Sequence, residues 1–338
     1  MTAAASAPPE ERGLARDAVR LLAATPDGLV HARFSGLARF LSPGDLLVVN
    51  TSATIAAAVD TSRGDGRPVA VHFSTPLDDG TWVVELREPP GSGGRITDAA
   101  CGEIIPLPGG ASLTLLGRYP DEAANRLWSA AALVPGTVGE YLGRRGRPVR
   151  YSYVPEQWPL SAYQTVFSRH PGSAEMPSAA RPFTTDLVTE LVTAGVVIAP
   201  ITLHAGVASL ETGEPPLPER FTVPEPTARL VNLTSAAGRR VVAVGTTSTR
   251  ALESAASADG TVHAGHGWTG LVLGEDHPAR VVTGLVTGWH DPEASHLALL
   301  TAVAGPDLVH HAYGEASETG YLWHEFGDSC LLLGPRRR

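Results

Sequence analysis

The chain contains no lysine; all 26 of its basic residues are arginine. That absence excludes Schiff-base chemistry, pyridoxal-phosphate attachment and the lysine of a phosphate-binding loop together. Cysteine is almost as scarce. Cys101 and Cys330 can frame neither a disulfide scaffold nor a thiolate zinc site, which fits a reducing compartment. No apolar run approaches the roughly 18 residues of a membrane span. Residues 1–12 lack the apolar core of an export signal, so a cytoplasmic location with no membrane partner is expected. A net charge of −9 argues against broad nucleic-acid binding, because phosphate contacts need clustered positive charge. Arg144, Arg145, Arg147 and Arg150 make the best local patch for a polyanion.

Catalytic signatures are missing as well. There is no Gly-x-x-x-x-Gly-Lys, and the glycines at 64, 66 and within 91–94 are expected in hairpin turns, not between strand and helix. No Gly-x-Ser-x-Gly elbow supplies a serine nucleophile. Histidines number twelve, but none forms His-x-x-x-His or His-x-x-Glu-His spacing with a carboxylate cluster, so no metal site is expected.

What remains is 338 residues with 43% hydrophobic and 18% charged residues, the composition of a soluble globular protein of about two domains. Val30 to Phe34 alternates like a strand, and Leu46 to Val49 is a buried-strand run ending at Asn50, Thr51 and Ser52. From about 60 to 150 the character changes. Short strand-like pieces at 68–73, 81–86, 111–116 and 126–133 are separated by Gly/Pro/Asp turns, the pattern of a small inserted antiparallel barrel or sandwich. After Pro155 an α/β pattern returns. Thr184 caps a helix carrying Leu187, Val188, Leu191 and Val192, and Gly195 ends it. A strand at 196–203 leads to His204, 211–226 reads as a loop, and 227–237 as a helix. Strands at 271–273 and 281–287, helices near 295–303 and 306–313, and a last strand at 330–333 complete the chain. The architecture expected is α/β: a mixed, largely parallel sheet with flanking helices in residues 1–59 and 151–338, interrupted at 60–150.

One stretch concentrates polar chemistry. Val241 to Val244 is a buried strand, Gly245 breaks it, and Thr246, Thr247 and Ser248 open a helix that carries Arg250 and Glu253. Such a turn gathers free backbone N–H groups and hydroxyls at the positive end of a helix dipole, a setting for a carboxylate or phosphate. A capped connection with Arg250 in a structural ion pair is the competing reading. Asn50, His204 and His290 also stand at strand ends. In open α/β sheets ligands collect outside the carboxyl ends of the strands, so neighbouring strands would assemble these groups into one pocket.

The segments VVAVGTTSTRALES, ITLHAG, GWTGLVL, SAYQTVF, FGDSCLLL and SPGDLLVVN, in this order-preserving arrangement over most of the chain, resemble the S-adenosylmethionine:tRNA ribosyltransferase-isomerase (QueA) family of queuosine biosynthesis. The resemblance implies an α/β catalytic domain interrupted by a β-barrel, with S-adenosylmethionine as a substrate and no separate cofactor. It implies transfer of the ribosyl part to the aminomethyl group of a 7-deazaguanine in tRNA, releasing adenine and methionine. Such chemistry needs a base, a donor for the departing adenine and an anchor for the methionine carboxylate. Gly245, Thr246, Thr247, Ser248, Arg250 and Glu253 match the most specific segment and are expected to bind substrate, the turn with Arg250 anchoring the carboxylate. His204 or His290 is expected to be the base. Asn50, Tyr163 and Gln164 are expected to line the same pocket.

The chain also departs from the family pattern. After Asn50 the family usually continues Asp-Thr-Arg-Val-Ile-Pro-Ala-Arg, whereas here residues 51–58 hold neither the acid nor the arginines. Pro182 stands where the family has histidine, and Leu217 replaces the histidine of a His-Ser-Glu motif that keeps only Glu219. These changes fall on the acceptor side. A divergent member using a different acceptor, a small molecule or water, is therefore the second expectation, and a non-catalytic binder the third.

Overall fold

The computed structural model describes residues 3–89, 94–122, 124–207, 216–274, 276–290 and 296–334. The chain enters through β1 (Arg20–Thr25) and β2 (Gly28–Arg33), then reaches β3 (Leu46–Asn50) and the short β4 (Ser52–Thr54). Six strands follow without a helix: β5 (Ala58–Ser62), β6 (Pro68–Pro76), β7 (Trp82–Arg87), β8 (Ile104–Leu107), β9 (Ala111–Tyr119) and β10 (Leu127–Leu133). After α1 (Val138–Arg145) come β11 (His170–Ser173), α2 (Thr185–Thr193), β12 (Val197–His204) and β13 (Glu219–Val223). Next are α3 (Glu225–Ala236), β14 (Val241–Val244), α4 (Thr246–Ser254), β15 (Gly265–Thr269) and β16 (Gly284–Gly288). The last are α5 (His296–Ala304), α6 (Pro306–Glu318) and β17 (Ser329–Leu333).

Nine strands form one mixed sheet in the order β15-β13-β12-β3-β14-β16-β17-β1-β2. Its middle four, β12, β3, β14 and β16, are mutually parallel, and antiparallel pairings extend the sheet beyond β12 and β16. Burial explains the unbroken apolar runs. In β3, Leu46 and Val48 point into one core while Leu47 and Val49 point into the other; in β14, Val241 and Ala243 are set against Val242 and Val244 in the same way. A strand covered on both faces needs no polar alternation.

The six strands β5 to β10 make a separate antiparallel sheet in the order β5-β6-β7-β10-β9-β8. It curls almost to closure: Thr61 Oγ1 on β5 donates to Pro106 O on β8 across 2.6 Å. Val59, Val71, Phe73, Val84, Leu86, Leu113, Leu115 and Trp128 fill its interior. β4 and β11 pair in parallel beyond the ends of β3 and β12, setting Ser52 opposite His170.

Several elements match the sequence pattern closely. Thr184 Oγ1 accepts from the Leu187 N–H at 3.2 Å and caps α2, and Gly195 follows that helix at φ +84°. Others differ. Residues 271–273 form no strand; the edge strand lies earlier, at β15, and the Leu271 carbonyl is instead held by Arg250. Residues 219–223 are a strand rather than a loop, because β13 bridges β12 and β15. Periodicity over five residues does not separate an edge strand from an extended loop.

Candidate active site

The strand order makes neighbours of the four strands whose ends carry polar groups. His204 ends β12, Asn50 ends β3, Gly245 follows β14 and His290 lies two residues past β16, all along one edge of the sheet. Adjacent strands lie about 4.8 Å apart, so β12 and β16 run roughly 14 Å from one another across three spacings. The two histidines thus stand at the outer strands of the central four.

Asn50 joins the row together. It is fully buried, and its Nδ2 donates to Leu203 O at 2.8 Å and to Thr247 Oγ1 at 3.2 Å. Its Oδ1 accepts from the N–H groups of Ser52 and Leu203, both at 3.0 Å. Both donors and the acceptor oxygen are committed, so Asn50 binds strand ends and helix start to one another.

At the turn, Gly245 has φ +89° and ψ 158°, a backbone region open to glycine. As the residue before α4 it has no side chain to cap the helix, and no side-chain cap is present. The Ser248 and Thr249 hydroxyls bond back to Val244 O and Gly245 O at 2.9 and 3.2 Å. The first-turn N–H groups of Thr246, Thr247 and Ser248 have no i−4 partner within α4 and stand at the positive end of its dipole; Thr246 and Thr247 are half-buried and Ser248 is fully buried.

Arg250 and Glu253 face elsewhere. Arg250, 6% exposed, pairs with Glu219 and donates to Leu217 O at 3.2 Å, Thr269 O at 3.1 Å and Leu271 O at 3.1 Å. Burial pushes the Glu219 carboxyl above its ordinary value, against the opposing pull of Arg250. Glu253 lies roughly 10 Å farther along the helix axis than Thr246. Its carboxylate accepts from the N–H groups of Arg280, Val281 and Val282 at 2.8–2.9 Å. Both side chains fasten surrounding loops to α4.

Around His204 the sequence signal was thinnest. His204 Nδ1 lies 2.7 Å from Ser52 Oγ, which lies 2.6 Å from Ser173 Oγ, which accepts from the Ala205 N–H at 3.0 Å. A Cβ added to Gly172 would sit 2.5 Å from His204 Nδ1, so its backbone lies flat against the ring. Burial, with smaller contributions from His170 and Arg220, holds the imidazole below its ordinary value, hence neutral near pH 7. Ser52 was visible at a polar strand end; Ser173, Gly172 and His170 carried no motif, and only the β4–β11 pairing brings them here.

Tyr163 and Gln164 are fastened to β4. Gln164 exchanges two bonds with the Thr54 backbone, at 3.2 and 2.8 Å, and Thr54 Oγ1 donates to Tyr163 O at 2.8 Å. The Tyr163 ring packs on Phe326 at 5.2 Å; among the described residues its buried hydroxyl has no hydrogen-bond partner. At the far end, His290 Nε2 lies 3.2 Å from Thr287 Oγ1. In the arginine patch, Arg147 is bidentate to Asp60 at 2.7 and 2.6 Å, Arg150 donates to backbone carbonyls, and Arg144 donates to Pro135 O at 2.8 Å.

A groove of about 700 Å³ lies between the β1–β2 turn and α6 and is lined by Leu29, His310, His311 and Glu315. Because β1 runs antiparallel to the central four strands, that groove opens at the opposite edge. The donor set described above, not the groove's size, marks the site. Among the described residues, no three His, Cys, Asp or Glu come together to hold a metal ion, and no helix is long and apolar enough to cross a membrane.

Comparisons with known proteins converge on one group. A family model described as "Queuosine biosynthesis protein" matches residues 2–332. The chain is 36% identical over 343 residues to the S-adenosylmethionine:tRNA ribosyltransferase-isomerase of Acidiphilium cryptum, covering 96% of each protein. It is 35% identical over 330 residues to the protein of that name from Moorella thermoacetica, covering 94% of each. Among solved structures, it resembles the S-adenosylmethionine tRNA ribosyltransferase of Thermotoga maritima, with a TM-score of 0.50 and 27% identity over 94% of this chain and 93% of that one.

Proposed function

The chain belongs to the queuosine biosynthesis protein family, and from that premise we propose that it transfers and isomerises the ribosyl moiety of S-adenosylmethionine onto tRNA, releasing adenine and methionine. The observation that carries this reading is the row formed by His204, Asn50, the open start of α4 and His290 along one sheet edge. S-adenosylmethionine is itself elongated, with a carboxylate at one end and a purine at the other. A row of polar strand ends suits it better than a compact pocket.

In this reading the first-turn N–H groups at 246–248 take the methionine carboxylate, the one full negative charge on the substrate. Arg250 supports that cradle by fixing its walls at Leu217, Thr269 and Leu271. The sulfonium acidifies the adjacent 5′ carbon, so a positioned base removes a proton there. Collapse of that species expels adenine and opens the sugar; attack by the acceptor amine and closure of an epoxide release methionine. His204 and His290 supply the base and the donor for the departing purine, at separate ends of the row. Tyr163, Gln164 and Asn50 complete the wall, and the reaction takes place in the cytoplasm.

A second reading has its own observation. Arg147 is neutralised by Asp60, and donors of the Arg150 guanidinium are engaged by backbone carbonyls, which reduces what the patch offers tRNA phosphates and favours a smaller acceptor. One assay separates the two. Purified protein is incubated with S-adenosylmethionine, with and without tRNA bearing the aminomethyl-deazaguanine, and adenine and methionine are measured. Release only with that tRNA supports the first reading. Release without it supports the second, and no release in either arm overturns transfer to that tRNA.

A further inference from the structure

We infer that Ser52 and Ser173 lock His204 into the tautomer protonated on Nε2, making it a hydrogen-bond donor to substrate and not the proton-abstracting base. Hydroxyl directionality carries the argument. Ser52 and Ser173 are both fully buried, so neither exchanges bonds with bulk water. Ser173 Oγ accepts from the Ala205 N–H, a group that can only donate. Among the described residues, the remaining neighbour of that hydroxyl is Ser52 Oγ at 2.6 Å, so the Ser173 proton points there. Ser52 Oγ, now accepting, sends its own proton to its other neighbour, His204 Nδ1 at 2.7 Å. Nδ1 is therefore an acceptor. In a neutral imidazole the proton then resides on Nε2.

The ring cannot escape by rotating. Gly172 lies against it so closely that a Cβ there would stand 2.5 Å from Nδ1 and 2.7 Å from Cε1. A flipped or tilted ring would also leave the Ser52 hydroxyl buried without an acceptor, which is costly. The polarised chain runs from Ala205 N–H through two serines to Nδ1, and what His204 offers the substrate is an N–H.

The consequence for chemistry rests on the ribosyl-transfer reading above. A neutral imidazole presenting Nε2–H stabilises negative charge that develops on a departing purine nitrogen by hydrogen bonding. It has no lone pair left to remove a proton. The base is then to be sought at the other end of the row, where His290 stands.

Long-range proton–nitrogen NMR on histidine-labelled protein, recorded above neutrality without substrate, reads the tautomer directly. A His204 signal with Nε2 protonated is expected for the unaltered protein; Nδ1 protonation overturns the inference. Ser52→Ala removes the donor to Nδ1 and should redistribute the proton between the two nitrogens, whereas Ser52→Thr, which keeps the hydroxyl, should restore the original tautomer. An unchanged tautomer in Ser52→Ala would equally overturn it, and if that variant does not fold, the spectrum of the unaltered protein decides. In the adenine-release assay, kcat of Ser52→Ala should fall in proportion to the lost Nε2–H fraction while KM for S-adenosylmethionine is unchanged. Because the spectrum needs no substrate, an inactive unaltered protein would reject the functional reading and leave the tautomer assignment to stand or fall alone.

Discussion

Asn50 Nδ2 donates to Thr247 Oγ1 across 3.2 Å, so the end of one parallel strand holds the first turn of the helix that follows its neighbour. The same amide spans to Leu203 on the other side, and a single buried side chain sets the spacing of three elements along the site edge. Asn50, not a capping side chain, therefore ties down the N-terminus of α4.

Asn50→Asp should therefore separate binding from folding. The variant keeps an acceptor for the Ser52 and Leu203 N–H groups but loses both donated bonds, and a carboxylate beside Leu203 O is unfavourable. Each buried group left unpaired costs about 1–3 kcal/mol. A negative charge at the start of α4 would also compete with a substrate carboxylate for the helix N-terminus. We expect a lower unfolding midpoint and S-adenosylmethionine affinity reduced about ten-fold or more, equivalent to roughly 1.4 kcal/mol. Calorimetric binding that matched the unaltered protein would remove the open helix start from the substrate site.

Arg250 tests whether a buried pair is structural, substrate-binding or both. Arg250→Met strands Glu219, and breaking a buried pair from one side costs about 3–5 kcal/mol. Arg250→Met combined with Glu219→Gln removes the stranded charge and should regain much of that loss in a denaturant titration. Binding discriminates further. Arg250→Ala should weaken S-adenosylmethionine strongly; undiminished affinity would exclude Arg250 from the carboxylate anchor, directly or through the loops it holds.

Gly172→Ala isolates the geometry at His204. The added Cβ would fall 2.5 Å from Nδ1 and 2.9 Å from Cγ, so the ring must move. A displacement of about 1 Å in a catalytic group can cost on the order of 100-fold in turnover. Overpacking of this kind destabilises by about 1–3 kcal/mol, so the protein should still fold. Adenine release at the unaltered rate from Gly172→Ala would show that the position of His204 does not matter to the reaction.

The central fold was legible because its strands are apolar on both faces. Val241 to Val244 and Leu46 to Val49 announce themselves without context, and each ends in polar residues whose meaning depends only on strand order. The alternative of a structural ion pair for Arg250 was also visible as a possibility, but its partner was not: Glu219 lies 31 positions away and meets Arg250 only after β13 joins β12. Ser173 and Gly172 escaped for the same reason. They sit on a four-residue strand with no apolar alternation, and their roles exist only through contact with His204. Short edge strands take their identity from pairing, which a single sequence does not display.

Glu325 gives a prediction whose sign can be worked through. Its Oε1 is closed off from solvent and, among the described residues, has no hydrogen-bond partner; burial first, then the charge of this carboxyl, pushes the Tyr163 hydroxyl up. Burial first, then the charge of Glu175, pushes the Glu325 carboxyl up to about 8, against the opposing effect of Arg181. The folded state thus binds a proton that the unfolded state, with an ordinary carboxyl near 4.5, has released. Stability from this group is complete below the unfolded value and is lost as pH rises through about 8. Glu325→Gln mimics the protonated form and keeps its neutral amide at every pH. The variant and the unaltered protein should therefore unfold at similar temperatures near pH 4.5 and diverge above it. The variant should become the more stable, by a margin that levels off above about pH 8. Thermal midpoints measured across that range check it, and a difference that stayed flat with pH would mean that Glu325 is ionised in the folded protein throughout.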